Sequence, residues 1–179
     1  MAQTCSAPLA LAGGNILING RGSSYLLDER GDTLRSWDFP SHGLDDSGHS
    51  PTLTKSGYPL FSGIGGEVWI SREDQVREIG SFGYDVLPPA VLSSGEIAVA
   101  GYAYTGACLV DESGKILWRR LDFEDADSLV TANKFSEIAF GNLNDEVSLV
   151  VSSTGHDLFK VPFSATFSEH PNGWISCSG

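Results

Sequence analysis

The sequence of 179 residues predicts an all-β fold made of repeated four-stranded units. Two repeated segments and the composition lead to this prediction. The chain contains 21 glycines and only 19% charged residues, and it has no helical periodicity. Such a combination is typical of many short strands connected by turns.

The first repeated segment is clearest at residues 109–123, LVDESGKILWRRLDF, which reads as two strands joined by a tight turn. Altered copies cover residues 26–39, 69–82 and 150–163, and each copy ends on Phe. A glycine-flanked strand recurs upstream of these copies and once more at the end of the chain, at residues 14–20, 57–63, 95–101 and 173–179, with a degenerate copy at residues 136–142. A period of about 40 residues with about four strands per unit is the signature of a β-propeller blade.

We therefore predict a single small β-propeller domain of about four blades, each a four-stranded antiparallel sheet, with a surplus half-blade. The predicted repeats are residues 6–39, 50–82, 88–123, 129–163 and, for the half-blade, 165–179. The second repeat has Glu73-Asp74 where the others carry a turn glycine, which predicts a looser hairpin. Three closures stay open: a four-blade ring within one chain, an open arc completed by oligomerisation, or part of a longer propeller.

Charge and cysteine content exclude several classes of protein. The net charge of −12, with only 11 Lys and Arg residues, argues against unassisted binding to nucleic acid or to an anionic membrane. The three cysteines form no CxxC pair, so neither a disulfide framework nor a zinc site is indicated. The sequence shows no signal peptide and no apolar run of about 20 residues, and we expect a cytoplasmic protein.

The segment LVDESGKILWR carries a family resemblance. It is similar to the repeats of PQQ-type and WD40-like β-propellers, in which a strand ends in an acidic turn with glycine and the next strand carries Trp. The likeness extends from about Ser6 to the end of the chain. Residues corresponding to a PQQ cofactor cradle and the GH and WD signatures of WD40 blades are missing, so the resemblance implies architecture alone and no cofactor.

One face of the predicted propeller is the candidate partner-binding face. It carries the connections between blades and the loops between second and third strands, and binding residues concentrate on such loops. The predicted acidic residues there are Asp45, Asp46, Asp85, Glu124, Asp125 and Asp127. Tyr and Arg are common interface anchors, which adds Arg21, Tyr102 and Tyr104 from the second-to-third-strand loops.

His42 and His49 are weak candidates for metal ligands. They flank Asp45 and Asp46, and imidazole with carboxylate can bind a divalent metal, but their spacing matches no compact metal motif. A solvated turn is the favoured interpretation. No nucleophile with an adjacent base is visible, so we predict no catalytic residues. Aspartates at strand ends, such as Asp28 and Asp111, are expected to bond their own backbone.

The sequence favours a non-enzymatic protein-interaction module. An acidic face would steer a basic protein partner, for example a toxin neutralised by an immunity protein. Two alternatives stay open. One is a propeller that binds a carbohydrate or another small molecule, and that is hydrolytic in one version. The other is a structural role, in which the terminal half-blade builds a homo-oligomer.

Overall fold

The computed structural model of the chain describes residues 7–20, 23–39, 49–63, 65–73, 75–102, 106–121, 131–133, 135, 137–142, 147–161, 166–169 and 175–178. All regular elements in these residues are β-strands. The first sheet, blade 1, contains β1 (Leu9–Ala10), β2 (Ile16–Asn19), β3 (Ser23–Leu27) and β4 (Thr33–Asp38). Blade 2 contains β5 (Thr52–Leu53), β6 (Pro59–Ser62), β7 (Glu67–Arg72) and β8 (Gln75–Ser81).

The remaining sheets follow the same antiparallel order. Blade 3 contains β9 (Tyr84–Val86), β10 (Ala90–Val91), β11 (Ile97–Tyr102), β12 (Ala107–Val110) and β13 (Ile116–Arg120), with β9 and β10 both paired to β11. Blade 4 contains β14 (Thr131–Ala132), β15 (Ile138–Asn142), β16 (Val147–Val151) and β17 (Asp157–Val161). The half-blade is the hairpin of β18 (Thr166–Glu169) and β19 (Ile175–Ser178).

These sheets confirm the predicted fold class: an all-β propeller of four antiparallel blades and a surplus half-blade, with blade 3 carrying the additional short strand β9 beside its four. The first strands of neighbouring units lie side by side, β5 with β10, β10 with β14, and β14 with β18. Each blade therefore stacks on the next in chain order. Among the described residues there is no helix long and apolar enough to cross a membrane.

The turn between β7 and β8 differs from the prediction of a looser hairpin. Arg72 pairs with Gln75, so only two residues form the turn, and Glu73 takes the left-handed conformation with φ +50°. The register shift, which adjoins the turn in the other three blades, falls between Val68 and Trp69 in blade 2. A tight turn that requires positive φ has replaced the longer glycine turn.

The described core lies between consecutive blades in three clusters. Blades 1 and 2 meet through an aromatic group in which the rings of Trp37 and Phe39 lie 5.5 and 5.2 Å from that of Phe61. The cluster between blades 2 and 3 is mostly aliphatic, and the cluster between blades 3 and 4 adds Trp118, whose ring packs edge-on against Phe140. Trp37 and Trp118 thus fill the space between consecutive blades.

Contacts between blades recur where the last strand of one blade meets a turn of the next. The Trp118 indole N–H donates a 2.9 Å hydrogen bond to the Ser153 carbonyl oxygen. In the preceding pair of blades, Arg77 donates to the carbonyl oxygens of Glu112 and Ser113. These bonds satisfy turn carbonyls and fix the stacking of the blades.

Candidate functional site

The antiparallel order of each blade determines which connections share a face. The connections β4–β5, β8–β10 (which includes β9), β13–β14 and β17–β18 leave the sheets on the same side as the connections between second and third strands. We call this side the interblade face. The turns between first and second strands and between third and fourth strands lie on the opposite face.

On the interblade face, the structure brings together His49 and Asp85, two residues from different connections. His49 precedes β5, whereas Asp85 lies in β9 of the next blade. The distance from His49 Nε2 to Asp85 Oδ1 is 2.6 Å, and the two side chains are 26% and 39% exposed. The pair thus joins two blades and remains accessible from solvent.

The main chain of His49 is fixed from both neighbouring blades. Buried Asn19, at the end of β2, donates from Nδ2 to the His49 carbonyl oxygen at 2.9 Å, and its Oδ1 accepts a bond from Ser24. The His49 N–H donates to the Ser62 carbonyl oxygen at 3.0 Å. Because a buried polar group that loses its partner costs about 1–3 kcal/mol, these bonds hold the histidine firmly in place.

Asp85 is held in a strained backbone conformation. Its φ of +53° lies in the left-handed region, which costs a non-glycine residue about 1–2 kcal/mol. The next residue, Val86, is fully buried, and its N–H donates to the Gly63 carbonyl oxygen. Strain of this kind persists only where the surrounding structure enforces it, and it is concentrated at functional sites.

The contact with Asp85 favours one tautomer of a neutral His49 imidazole. Because an ionised carboxylate only accepts hydrogen bonds, this tautomer carries its proton on Nε2 and donates it to Asp85. Nδ1 is then the nitrogen that can accept a proton or a hydrogen bond from a bound molecule. A carboxylate that orients an imidazole in this way creates either a polar binding anchor or a general base.

The other predicted site residues divide into two groups. Arg21, His42, Asp45, Asp46, Tyr104, Glu124, Asp125 and Asp127 lie outside the described residues, and their roles stay predictions. Tyr102 was expected in a loop, but it is the last residue of β11, where it pairs with Tyr84 of β9. The loop prediction for Tyr102 was wrong because β9 extends the pairing of β11 past Gly101.

Neither face holds an evident metal site within the part of the chain that the structure describes: no group of three or more His, Cys, Asp and Glu side chains is arranged to bind a metal ion. On the opposite face, Asp28 and Asp111 accept bonds from backbone N–H groups of their own turns, as expected. The hydrogen bond from the Ser113 side chain lowers the pKa of Asp111. These aspartates have a structural role.

The pairing of His49 with Asp85 was missed at the level of sequence. Both residues were assigned to the same face, His49 as a possible metal ligand and Asp85 as a steering charge. No local motif connects two residues 36 positions apart. The available signal was that they occupy successive interblade connections one repeat apart.

Comparison with known proteins supports the fold. No family model matches the sequence, and no curated protein matches it. Among solved structures, the chain resembles BamB from Moraxella catarrhalis, with a TM-score of 0.72 and 17% identity over 92% of this chain and 52% of BamB. It therefore spans about half the length of BamB.

Three further similar structures are those of lyases. Virginiamycin B lyase from Staphylococcus aureus has a TM-score of 0.75 and 12% identity over 98% of this chain and 70% of that one. A catalytically inactive histidine-to-alanine variant of that lyase, solved with quinupristin, gives 0.74. A streptogramin B lyase gives 0.72 with 13% identity over 98% and 68% of the two chains. All these relatives are β-propellers, and at such identities the likeness establishes the fold alone.

Proposed function

We propose that this protein is a protein-interaction module that docks a basic partner on its interblade face. In one concrete version it neutralises a basic toxin or nuclease in the cytoplasm, as an immunity protein does. Acidic residues steer the partner, and Arg21, Tyr102 and Tyr104 anchor it. The proposal also includes the resemblance of the repeats to PQQ-type and WD40-like propellers, which concerns their architecture alone.

The observation that carries the proposal is the charge of the segments that connect consecutive blades. The segments that connect consecutive blades, 39–51, 82–89, 121–130 and 162–165, contain seven Asp and Glu residues and no Lys or Arg. Turns of the opposite face mix both signs: Arg30 and Lys115 have acidic neighbours in their own turns, and Lys55 lies in another turn of that face. A predominantly acidic surface raises the association rate of a basic partner.

The His49–Asp85 pair supplies a preorganised feature on this face. Asp85 keeps a partly exposed carboxylate, and its position is fixed by β9 and by the histidine. A fixed carboxylate loses little side-chain freedom when a Lys or Arg of the partner binds it, so less of the binding energy is lost to ordering. We assign Asp85 the role of a charged anchor.

Site-specific photo-cross-linking in the protein's own host tests the proposal. A benzophenone amino acid replaces exposed Ser81, at the end of β8 on the interblade face, or exposed Ser56, in a turn of the opposite face. We expect a discrete protein adduct from position 81 alone. Asp85→Lys should lower its yield at low salt, whereas Glu29→Lys, the same charge change in an opposite-face turn, should not. Equal adducts from positions 81 and 56 would contradict the proposal.

A second candidate function is binding of a small molecule at the same face, with His49 as a general base in a reactive version. It is favoured by the accessible imidazole–carboxylate pair and by the lyase relatives, one of which is inactive without a histidine and was solved with quinupristin. Thermal-shift assays with quinupristin, a carbohydrate panel and divalent metals test it. A shift that is lost in His49→Ala supports this candidate, and no shift with any probe contradicts it.

A further inference from the structure

Each blade has two sides, one facing the preceding blade and one facing the following blade. In blade 3, Ile97 and Val99 of β11 and Cys108 and Val110 of β12 pack with blade 2. These four residues are at most 1% exposed. They define what we call the N-facing side of a blade, the side that contacts its predecessor.

Strand register identifies the N-facing side of the other blades. Blade 3 pairs Ile97 with Val110 and Val99 with Cys108. The matching pairs in blade 4 are Ile138 with Val151 and Phe140 with Leu149, all at most 3% exposed. The matching pairs in blade 1 are Ile16 with Leu27 and Ile18 with Tyr25.

Blade 1 departs from this pattern of burial. Its N-facing residues Ile16, Ile18, Tyr25 and Leu27 are all partly exposed, although they are as apolar as their buried counterparts. Leu17, on the other side of β2, is fully buried against blade 2. Blade 1 therefore has one covered side and one side with the composition of a blade interface that is incompletely covered.

The side of blade 4 that faces the half-blade is covered. Ala139 and Val150 lie on the side of blade 4 that faces the half-blade, and both are 0% exposed. β18 of the half-blade lies beside β14. The five units thus form an arc that continues the stacking at the half-blade and leaves it incomplete at blade 1.

We propose that the N-facing side of blade 1 is a docking surface for the half-blade end of a second copy of this chain. The occupant follows from the repeat, because the N-facing sides of blades 3 and 4 each pack on the blade before them. The half-blade end of a second copy supplies such a predecessor for blade 1. The chain also superposes over 92–98% of its own length on only 52–70% of larger propellers, so more of this β-structure is stacked in those proteins than in one copy of this chain.

The contact is head-to-tail, with a different surface on each partner. Such heterologous contacts close into a ring when the rotation per copy is right. With two copies the ring closes through two equivalent interfaces, and its mass is twice 19.1 kDa. This assembly is independent of the docking function of the interblade face.

Sedimentation equilibrium of the full chain over a concentration series tests the assembly. We expect a dimer that dissociates on dilution. Ile18→Glu should raise the dissociation constant by about 100-fold or more, because it would place an unpaired carboxylate in an apolar interface. Leu117→Glu is the matched control, since Leu117 is 44% exposed on the outermost strand of blade 3 and should leave dimerisation unchanged.

The variant must retain its fold for the comparison to hold, which far-UV circular dichroism checks. If Ile18→Glu unfolds, Tyr25→Lys takes its place, because Tyr25 lies opposite Ile18 on the same side. A wild-type protein that is monomeric at every concentration overturns the proposal. A dimer that persists in the folded blade 1 variant, or that is lost equally in Leu117→Glu, also overturns it.

Discussion

Gly114 is the position at which the close stacking of blades can be tested most sharply. It lies in the turn between β12 and β13 with φ +91°, and a Cβ added there would lie 1.8 Å from the carbonyl oxygen of Ile79 in β8 of blade 2. Gly31 occupies the corresponding turn of blade 1 with φ +87°, and an added Cβ there would meet no atom within 4 Å. The two glycines share a backbone conformation and differ in their neighbours.

Substitution by alanine should therefore destabilise the protein by different amounts at the two positions. Gly31→Ala should cost about 1–2 kcal/mol, the penalty of a Cβ in the left-handed conformation. Gly114→Ala carries the same penalty and in addition must displace a backbone carbonyl, and overpacking of this kind costs about 1–3 kcal/mol. For a chain of this size, the extra term corresponds to a further fall in Tm of about 2–12 °C.

Thermal unfolding followed by far-UV circular dichroism measures both variants against the wild type. We expect Gly114→Ala to have the lower Tm of the two. Equal losses of stability in the two variants would refute the close approach of the β12–β13 turn to blade 2. The interblade contacts made by Arg77 in the same place would then need another explanation.

Three further predictions concern single residues. Burial raises the pKa of the Cys108 thiol from 9.0 to about 12, so at pH 8 its thiolate fraction, and with it iodoacetamide labelling measured by mass spectrometry, should be about a thousandfold lower than for a free thiol. Trp118→Phe keeps a ring but removes the bond to Ser153, and should cost about 1–2 kcal/mol in urea unfolding. Asp85→Gly should be more stable than Asp85→Ala by about 1–2 kcal/mol, because only glycine adopts φ +53° without strain.

Each of these has a clear contrary result. Rapid alkylation of Cys108 in the folded protein would mean that the thiol is not enclosed between blades 2 and 3. Unchanged stability in Trp118→Phe would show that the indole bond makes no net contribution. Equal stability of the Asp85→Gly and Asp85→Ala variants would mean that the backbone at Asp85, in β9 on the interblade face, is not strained.

The repeat in the sequence was sufficient to predict the blades because hydrophobic alternation and turn glycines are local signals. Residues 109–123 specify two strands and a turn without reference to the rest of the chain. The two-residue turn at Glu73 was not predicted, because its geometry depends on where blade 2 absorbs its register shift. Similarly, β9 was not predicted: it pairs with β11 only because the main chain after Gly83 returns to the same sheet.

The candidate site was only partly predictable for a related reason. A period of about 40 residues assigns His49 and Asp85 to one face, but their distance depends on how far blade 2 is rotated relative to blade 3. That rotation is set by packing of side chains such as Ile70 and Val99 between the sheets. The sequence pattern gives the identity of these residues, but it does not determine the angle between blades 2 and 3 that their packing produces.

We propose above all that the interblade face binds a protein partner through its acidic residues. Native mass spectrometry of the protein purified at low salt from its own host tests this directly, with wild type, Asp85→Lys and Glu29→Lys prepared in parallel. We expect a heteromeric mass for wild type and Glu29→Lys, and loss of the added mass in Asp85→Lys. The same bound mass in all three proteins, or no bound protein in the wild type, would contradict it.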